Sequence, residues 1–306
     1  MSLVKTEYFG IARKIVSNMT CESWESIPHA LCTYEADVTE LFEEIKKLNE
    51  GCTDKSKKIT VNTVMLYVIC EGLKAAPKLN THLKFNRQLV KGKLKYFDHI
   101  DISMPTVLPN GEMMTVNMHD MGNKTLTEMT DAINDTIRRA KQSDLAEVMY
   151  EASIDNTLNG LKNGKIKQTI NRLRGSLIGK HKIKTLKGNA KKEYYSIPNT
   201  ERLTKHDIEQ GTTTVSNLGS IYRGHKGCCT LLEIIPPQTT VFALDAAQKR
   251  PVVVTDENGN DSIEIRLIMP ISIGFDHRAL DYGDIVPFMQ RLDEILDDPT
   301  VIHSWK

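Results

Sequence analysis

The sequence has no strong excess of positive or negative charge, and this argues against functions that depend on the overall charge of a protein. The 306 residues include 40 Lys and Arg against 39 Asp and Glu, which gives a formal net charge of +1. Proteins that bind nucleic acid or a polyanionic surface through their overall field carry a clear imbalance of charge. We therefore predict no nucleic-acid partner for this chain.

Long apolar runs and paired cysteines are missing as well. No apolar run approaches the roughly 18 residues of a transmembrane helix, and the N-terminal segment has neither the apolar core nor the cleavage site of a signal peptide. The six cysteines form no CxxC pair and show no Cys/His ligand spacing, so neither a zinc site nor a disulfide framework is indicated. These absences predict a cytoplasmic protein with no membrane partner and no metal.

The most informative stretch that is present covers residues 263–299. It begins with apolar residues that alternate with mostly polar neighbours, which is typical of a strand with one buried face. Residues 285–296 then repeat apolar positions at helical spacing, with Asp284 as the predicted N-cap and Pro299 beyond the end. Between the two, His277 lies in a tight turn from strand to helix.

A histidine in such a turn suits a catalytic base, because the strand fixes its backbone while the turn opens its side chain toward a cleft. The alternative for His277 is an ordinary, partly buried histidine that hydrogen-bonds to its neighbours. A second strand end of this kind precedes it, where β-branched residues run into Ser216-Asn217-Leu218-Gly219. Ser216 could equally be a turn former that bonds its own backbone.

The remaining pattern mixes strands and helices, which predicts an α/β fold. Helical stripes are predicted within residues 41–48, 61–73 and 126–137, and strands at 31–38, 100–107, 113–118 and 239–244. Thr60 or Asn62 is expected to open the second helix, and Thr125 with Glu128 forms a capping-box pattern before the third. Residues 83–97 are interpreted as a weaker hairpin.

Residues 142–203 follow a looser pattern and are rich in Lys, Asn and Gly. The section from 162 to 192 contains many bases and few acids. We interpret residues 142–203 as a basic helical insertion within a single domain that covers residues 1–306. The insertion is either a solvated basic surface or a surface for an anion, such as cofactor phosphates, nucleic acid or membrane.

Blocks of sequence in a fixed order resemble the catalytic domain of the dihydrolipoamide acyltransferases, the core subunits of 2-oxo acid dehydrogenase complexes. The blocks are Ile27-Pro28-His29 with Asp37-Val38-Thr39, Pro77-Lys78-Leu79-Asn80, Ser216-Asn217-Leu218-Gly219, Pro236-Pro237-Gln238, residues 249–254, and Asp276-His277-Arg278 with Asp281. The resemblance implies a two-layer α/β sandwich with a mixed β-sheet, like that of chloramphenicol acetyltransferase. It also implies a homotrimer whose active sites lie at the subunit interfaces.

The resemblance gives roles to individual residues. His277 corresponds to the general base that takes the proton of CoA or of a dihydrolipoyl thiol, and Ser216 to the donor that stabilises the oxyanion. Asp281 corresponds to a residue that supports the site through an ion pair, and Arg13 is its partner in a loose alignment. Arg278 receives no catalytic role and could be a surface charge. The residues that bind the cofactor stay unknown.

Two features depart from the family pattern. Tyr282 stands where the family commonly has glycine, and tyrosine takes a positive φ less easily. The sequence also shows no lipoyl attachment site, lipoyl domain or subunit-binding domain. A lipoylated protein would therefore have to act in trans.

The expected function is that of a CoA-dependent acyltransferase, which moves an acyl group between CoA and a dihydrolipoyl-type thiol, with acyl-CoA as substrate. One alternative is a small-molecule O-acetyltransferase of the chloramphenicol type. Another is a non-catalytic structural core or assembly subunit, but His277 and Ser216 are intact and a scaffold needs neither.

Overall fold

The computed structural model of the protein describes residues 2–107, 113–162, 170 and 185–306. These residues fall into two compact units. The first draws on residues 1–21, 106–117 and 135–209, and the second on residues 22–105, 118–134 and 210–306. Ser216 and His277 both belong to the second unit.

Strands and helices are mixed along the chain. In chain order the strands are β1 (His29–Asp37), β2 (Thr81–Asn86), β3 (Lys91–Tyr96), β4 (Ile102–Val107), β5 (Met113–Met118), β6 (Thr213–Asn217), β7 (Thr240–Leu244), β8 (Gln248–Thr255) and β9 (Asp261–Asp276). The helices are α1 (Ile11–Ser26), α2 (Thr39–Leu48), α3 (Val61–Ala75), α4 (Leu126–Lys141), α5 (Leu145–Lys162), α6 (Gly188–Ser196), the short α7 (Leu218–Ile221) and α8 (Tyr282–Asp297).

The second unit is built on a mixed sheet. Its strands lie in the order β1-β9-β7-β6-β4, and β8 pairs with the N-terminal half of β9, residues 261–268. β6 runs parallel to β4 and β7, whereas β9 runs antiparallel to β1, β7 and β8. β2 and β3 form a separate hairpin, as the sequence predicts. The expectation of an α/β fold with a mixed sheet is confirmed.

The main core lies between one face of this sheet and a layer of helices. Apolar residues of α2, α3, α8 and the first half of α4 pack there against β6, β7 and β9. At the centre, the rings of Phe242 and Phe288 stack with their centroids 5.0 Å apart, which ties β7 to α8. A smaller cluster on the opposite face joins β7 to the segment between β6 and β7; it contains Ile27, Leu232, Ile234, Val241 and Ala243.

The first unit has an apolar cluster of its own, formed by Met114, Val116, Ala140, Val148, Met149 and Leu203. Of the predicted insertion at 142–203, α5 and α6 are described, and residues 163–169 and 171–184 lie outside the described residues. That this region is an insertion within a single domain stays a prediction.

Several local predictions can be compared with the structure. The side chain of Thr60 caps α3, and Thr125 and Glu128 form the predicted reciprocal bonds before α4. Between the strands predicted at 100–107 and 113–118, the sequence Asn110-Gly111 is typical of a hairpin turn, but it lies outside the described residues. Within the described part of the chain, no helix combines the length and the apolar character that crossing a membrane requires.

Candidate active site

His277 lies in the turn between β9 and α8, and backbone hydrogen bonds hold this turn from two sides. The His277 N–H donates to the Pro28 carbonyl at 3.0 Å. The N–H groups of Ala279 and Leu280 both donate to the Asp276 carbonyl, at 2.9 and 3.0 Å. The turn therefore connects the Ile27-Pro28-His29 block to the Asp276-His277-Arg278 block, which are far apart in sequence.

The imidazole of His277 is fixed in one tautomer by its own turn. Its Nδ1 lies 3.1 Å from the carbonyl oxygen of Leu280. A carbonyl can only accept a hydrogen bond, so Nδ1 carries the proton and Nε2 carries the lone pair. The side chain is 55% exposed. The ring therefore presents an oriented proton acceptor that a substrate can reach.

A charge pair directly before and after His277 anchors the turn. The Asp276 carboxylate is fully buried, and Arg278 grips it with Nε 2.9 Å from Oδ1 and Nη2 2.6 Å from Oδ2. Bidentate pairing of this kind compensates a buried carboxylate that would otherwise be costly. Arg278 is therefore no free surface charge. An aspartate at the end of a buried strand requires a nearby cation, and this was the sequence signal for its role.

Asp281, and not Asp284, is the N-cap of α8. The two residues form a capping box, in which the Asp281 N–H donates to Oδ2 of Asp284 at 2.9 Å. The prediction of Asp284 as N-cap was wrong because the helix begins three residues earlier, which makes Asp284 the N3 residue. Asp281 is 82% exposed, and its Oδ1 lies 3.4 Å from Nδ1 of His277. It is placed to stabilise a protonated His277.

Two sequence expectations about this turn have different outcomes. Tyr282 is the first residue of α8, and among the described residues only Val90 and Asp120 are non-glycine residues with positive φ. The tyrosine therefore occupies the turn without backbone strain. Arg13 lies on α1 in the first unit, whereas Asp281 lies in the second. Their ion pair stays a prediction.

Ser216 lies near the end of β6, just before a turn that is also held tightly. The Asn217 side chain accepts from the N–H of Ser220 at 2.8 Å and so caps α7, and its amide donates to Oδ1 of Asn62. At Gly219, an added Cβ would lie 2.8 Å from the Asp245 carbonyl oxygen. The Ser216 hydroxyl makes no hydrogen bond within the described ranges, which leaves it available as a donor.

Strand register shows where the two candidate residues lie relative to each other. Ser216 on β6 pairs with Ala243 on β7, which pairs with Ser272 on β9. His277 directly follows the last residue of this strand, five residues beyond Ser272, and at about 3.3 Å per residue this is about 17 Å along the sheet. Two strand spacings of about 4.8 Å separate the residues sideways, so they lie roughly 19 Å apart in one chain. A single chain does not bring Ser216 and His277 together.

Titratable groups elsewhere in the described ranges do not form a metal centre. No group of three or more His, Cys, Asp or Glu side chains there is arranged to hold a metal ion. The described chemistry is thus that of an oriented imidazole and a hydroxyl, at two separate strand ends.

Comparison with known proteins gives a consistent family. The family described as "2-oxoacid dehydrogenases acyltransferase (catalytic domain)" matches residues 4–154 and 182–304. The dihydrolipoyllysine-residue acetyltransferase component of the pyruvate dehydrogenase complex is 21% identical over 291 residues in Rickettsia felis and 22% over 287 residues in Zymomonas mobilis. These alignments cover 95% and 94% of this chain, but 53% and 48% of the relatives. The chain therefore spans about half the length of the curated relatives it matches.

Solved structures show the same fold. The cubic core of the pyruvate dehydrogenase multienzyme complex superposes with a TM-score of 0.67 at 17% identity, covering 98% of this chain and 94% of that chain. A dihydrolipoamide acetyltransferase from Azotobacter vinelandii gives the same values; in that protein the role of a serine, a histidine and an asparagine in the catalytic mechanism was investigated.

Proposed function

This chain belongs to the family of 2-oxoacid dehydrogenase acyltransferase catalytic domains, and on that premise we propose that it is a CoA-dependent acyltransferase. It moves an acyl group between CoA and a thiol of the dihydrolipoyl type. The observation that carries this proposal is the ring of His277, whose Nδ1 is bound to the Leu280 carbonyl while Nε2 points to no partner among the described residues.

His277 acts on the attacking thiol. A free thiol has a pKa of about 8.5 and is mostly protonated at neutral pH, whereas the thiolate is the nucleophile. Nε2 accepts the thiol proton as the sulfur attacks the thioester carbonyl, and the ring becomes an imidazolium. The carboxylate of Asp281, with its Oδ1 3.4 Å from Nδ1, lies beside this positive charge.

Ser216 acts on the intermediate. The attack converts the carbonyl oxygen into an oxyanion, to which the Ser216 hydroxyl donates a hydrogen bond. When the intermediate collapses, the carbon–sulfur bond to the original thiol breaks. The departing thiolate takes the proton from Nε2 of His277, which returns the base to its neutral state. The reaction is balanced in both directions.

We further infer that each active site is shared by two copies of the chain. His277 and Ser216 lie roughly 19 Å apart within one chain by strand register, which is too far for both to contact one tetrahedral carbon. Ser216 of a second copy therefore completes the site at His277. A closed homotrimer is the assembly we propose, because closed rings repeat one interface without leaving an end unpaired.

The acceptor is proposed to be a dihydrolipoyl group that a lipoylated protein presents in trans, in the cytoplasm. The curated relatives are named as dihydrolipoyllysine-residue acetyltransferases, which supports this acceptor class. In the Azotobacter vinelandii protein the investigated asparagine follows the histidine by four positions. Asp281 has this spacing from His277, which supports a site role for it.

Mixing two inactive variants tests the shared site. Ser216→Ala and His277→Ala chains are purified separately, unfolded and refolded together in equal amounts, and CoA release from acetyl-CoA is measured with dihydrolipoamide as acceptor. In a closed ring with random assembly, about a quarter of the interfaces combine an intact Ser216 with an intact His277. We expect activity near this fraction of the refolded wild type.

The outcomes separate three parts of the proposal: the shared site, the thiol acceptor and the acyltransferase activity. No recovery in the mixture, with an active wild type, would place both residues in one chain and contradict the shared site. A wild type that releases CoA only with small-molecule hydroxyl acceptors would contradict the thiol acceptor. A folded wild type without activity toward any acceptor would contradict the acyltransferase itself.

A further inference from the structure

Two buried threonines meet behind the His277 turn, at the start of β2 and just before β7. The hydroxyl oxygens of Thr81 and Thr239 lie 2.9 Å apart, and both residues are fully buried. Thr239 also donates to the Thr81 carbonyl at 3.0 Å. A buried hydroxyl is costly unless it is hydrogen-bonded, and these two supply partners for each other. We call Thr81 and Thr239 the threonine pair.

One chain of hydrogen bonds leads from the threonine pair to the imidazole of His277. The Thr239 carbonyl accepts from the Asp276 N–H at 2.9 Å. The Asp276 carbonyl in turn accepts from the N–H of Leu280 at 3.0 Å. The carbonyl oxygen of Leu280 then lies 3.1 Å from Nδ1 of His277. The position of Thr239 is therefore linked to the group that fixes the tautomer of the ring.

A second chain of contacts leads from the threonine pair to the carboxylate beside the same ring nitrogen. The Thr81 hydroxyl donates to the Lys78 carbonyl at 2.9 Å, and the Lys78 ammonium donates to Oδ2 of Asp284 at 2.8 Å. The same Oδ2 accepts from the Asp281 N–H at 2.9 Å. Oδ1 of Asp281 lies 3.4 Å from Nδ1 of His277. Both groups that approach Nδ1 are thus linked to the threonine pair.

The two hydroxyl groups of the threonine pair depend on each other. Each hydroxyl has one proton to donate, but the pair makes three contacts: with the Lys78 carbonyl, with the Thr81 carbonyl, and between the two hydroxyl oxygens. A proton that bridges the two oxygens is withdrawn from one of the carbonyls. Removing either hydroxyl therefore changes the hydrogen bonds of the other, and the two chains of contacts are coupled at this pair.

The next residue along the chain, Thr240, provides an internal comparison. It is also fully buried, and its hydroxyl donates to the Leu79 carbonyl at 2.8 Å. Its Oγ1 lies 3.0 Å from Oγ1 of Thr213 on β6. These side-chain contacts lead to β6 and to the segment before β2, and not to residues 276–281. Thr240 therefore matches Thr239 in burial and chemistry but differs from it in what its hydroxyl is linked to.

We propose that Thr81 and Thr239 are positioning residues, which set the imidazole of His277 for proton transfer. This assignment rests on the proposed function and names the side chains that hold its base in place. Both threonines are fully buried, so they act through the turn and do not touch the substrate. A displacement of a catalytic group by about 1 Å can lower a rate about a hundredfold, which makes such support behind the base effective.

Thr239→Val tests the proposal, because valine has nearly the shape of threonine and lacks the hydroxyl. We expect kcat for acyl transfer to dihydrolipoamide to fall about tenfold or more, while the KM for acetyl-CoA stays within about twofold. Thr239→Ser keeps a hydroxyl and should recover most of kcat. Thr81→Val should act in the same direction, which provides a second variant if Thr239→Val does not fold. A wild-type kcat in both valine variants would overturn the proposal.

Thr240→Val is the matched control. It removes an equally buried hydroxyl from a backbone carbonyl, so its Tm should fall by a similar amount to that of Thr239→Val, but its kcat should stay close to that of the wild type. Equal losses of kcat in the two variants would show a general loosening of the sheet and overturn the proposal. Thr81→Val combined with Thr239→Val should lower kcat by less than the product of the separate effects, because the two hydroxyls share one contact.

Amide hydrogen exchange, followed by mass spectrometry, tests the positioning without turnover. Peptides that span residues 276–281 should exchange about tenfold faster or more in Thr239→Val than in Thr240→Val, because the support of the Asp276 N–H is weakened only in the first. Unchanged exchange in Thr239→Val would overturn the inference even in an active enzyme. Faster exchange confined to Thr239→Val and Thr81→Val, in a chain that transfers no acyl group to any acceptor, would support the link to the turn while contradicting the proposed function.

Discussion

The two ends of the central sheet each carry one half of the proposed chemistry, and they are held in different ways. At the His277 end, a buried charge pair of Asp276 and Arg278 encloses the turn. At the Ser216 end, the turn is held by neutral contacts, in which Asn217 bonds Asn62 and Gly219 packs on the backbone of Asp245.

The difference follows from the role that we propose for each residue. In the proposed mechanism His277 gains and loses a proton in every cycle, so its surroundings must fix the tautomer and tolerate a positive charge. The Leu280 carbonyl does the first and the Asp281 carboxylate the second. In the same proposal Ser216 stays neutral and only donates a hydrogen bond, so accurate placement of its backbone is enough.

The largest effect is expected from removing the base. His277→Gln keeps a group that can donate to Leu280 but has no basic nitrogen, so kcat for acyl transfer to dihydrolipoamide should fall at least about a hundredfold. His303→Gln, in the C-terminal segment, is the control and should leave kcat nearly unchanged. Retention of most activity by His277→Gln would end the proposed mechanism.

Breaking the charge pair should mainly lower stability. Arg278→Gln leaves the buried carboxylate of Asp276 without its cation, which should lower the free energy of unfolding by about 3 kcal/mol. The control is Arg138→Gln, because Arg138 and its partners Asp135 and Glu201 are well exposed, and its cost should be much smaller than that of Arg278→Gln. Urea unfolding measures both. Equal, small losses would show that the Asp276 pair does not anchor the turn.

Replacing Gly219, beside Ser216, and Gly283, beside the His277 turn, by alanine should change the free energy of unfolding in opposite directions. In Gly219→Ala, the new Cβ would lie 2.8 Å from the Asp245 carbonyl oxygen, and relieving this overlap should cost about 1–3 kcal/mol of unfolding free energy. Gly283 has no atom within 4 Å of the Cβ position and lies in the first turn of α8, so Gly283→Ala should stabilise by up to about 1 kcal/mol. Destabilisation by both, in thermal or urea unfolding, would contradict the contrast.

Sequence predicts best what depends on local pattern. The alternating apolar residues before His277 predict β9, and the apolar residues at helical spacing after it predict α8, because each element has one buried face. The N-cap was misplaced since two aspartates three residues apart both fit a cap, and a capping box uses both. Which of the two aspartates is the N-cap depends on where the backbone turns into the helix, and the residue pattern does not show this.

Long-range contacts could not be read from pattern. The Pro28 carbonyl that holds the His277 N–H and the Asn62 amide that meets Asn217 are distant in sequence. The separation of Ser216 from His277 likewise depends on strand order and register, which place β7 between β6 and β9. Periodicity shows which face of a strand is buried, but it does not show which strands lie next to it in the sheet.

The smallest effect concerns the ion pair that joins Lys78 to the first turn of α8. Burial alone would raise the pKa of Asp284, but the hydrogen bond from Lys78 at 2.8 Å and the one from the Asp281 N–H outweigh it, so the pKa lies below its ordinary value of 3.8. The hydrogen bond to Asp284 also raises the pKa of Lys78 above 10.5.

The sign of the pH dependence follows from these two shifts. Asp284, whose pKa is lowered on folding, stabilises the fold at pH values above its unfolded pKa, and this stabilisation is lost as the pH falls through the folded pKa. Lys78, whose pKa is raised on folding, stabilises the fold at pH values below its unfolded pKa, and this stabilisation is lost as the pH rises through the folded pKa. A double-mutant cycle of Lys78→Met and Asp284→Asn should therefore give a coupling below about 1 kcal/mol at neutral pH, since the pair is partly exposed. Urea unfolding should show the coupling fade as the pH falls further below 3.8 and Asp284 takes up a proton. A coupling that persists there would mean that packing of the Lys78 stem, and not charge, joins it to α8.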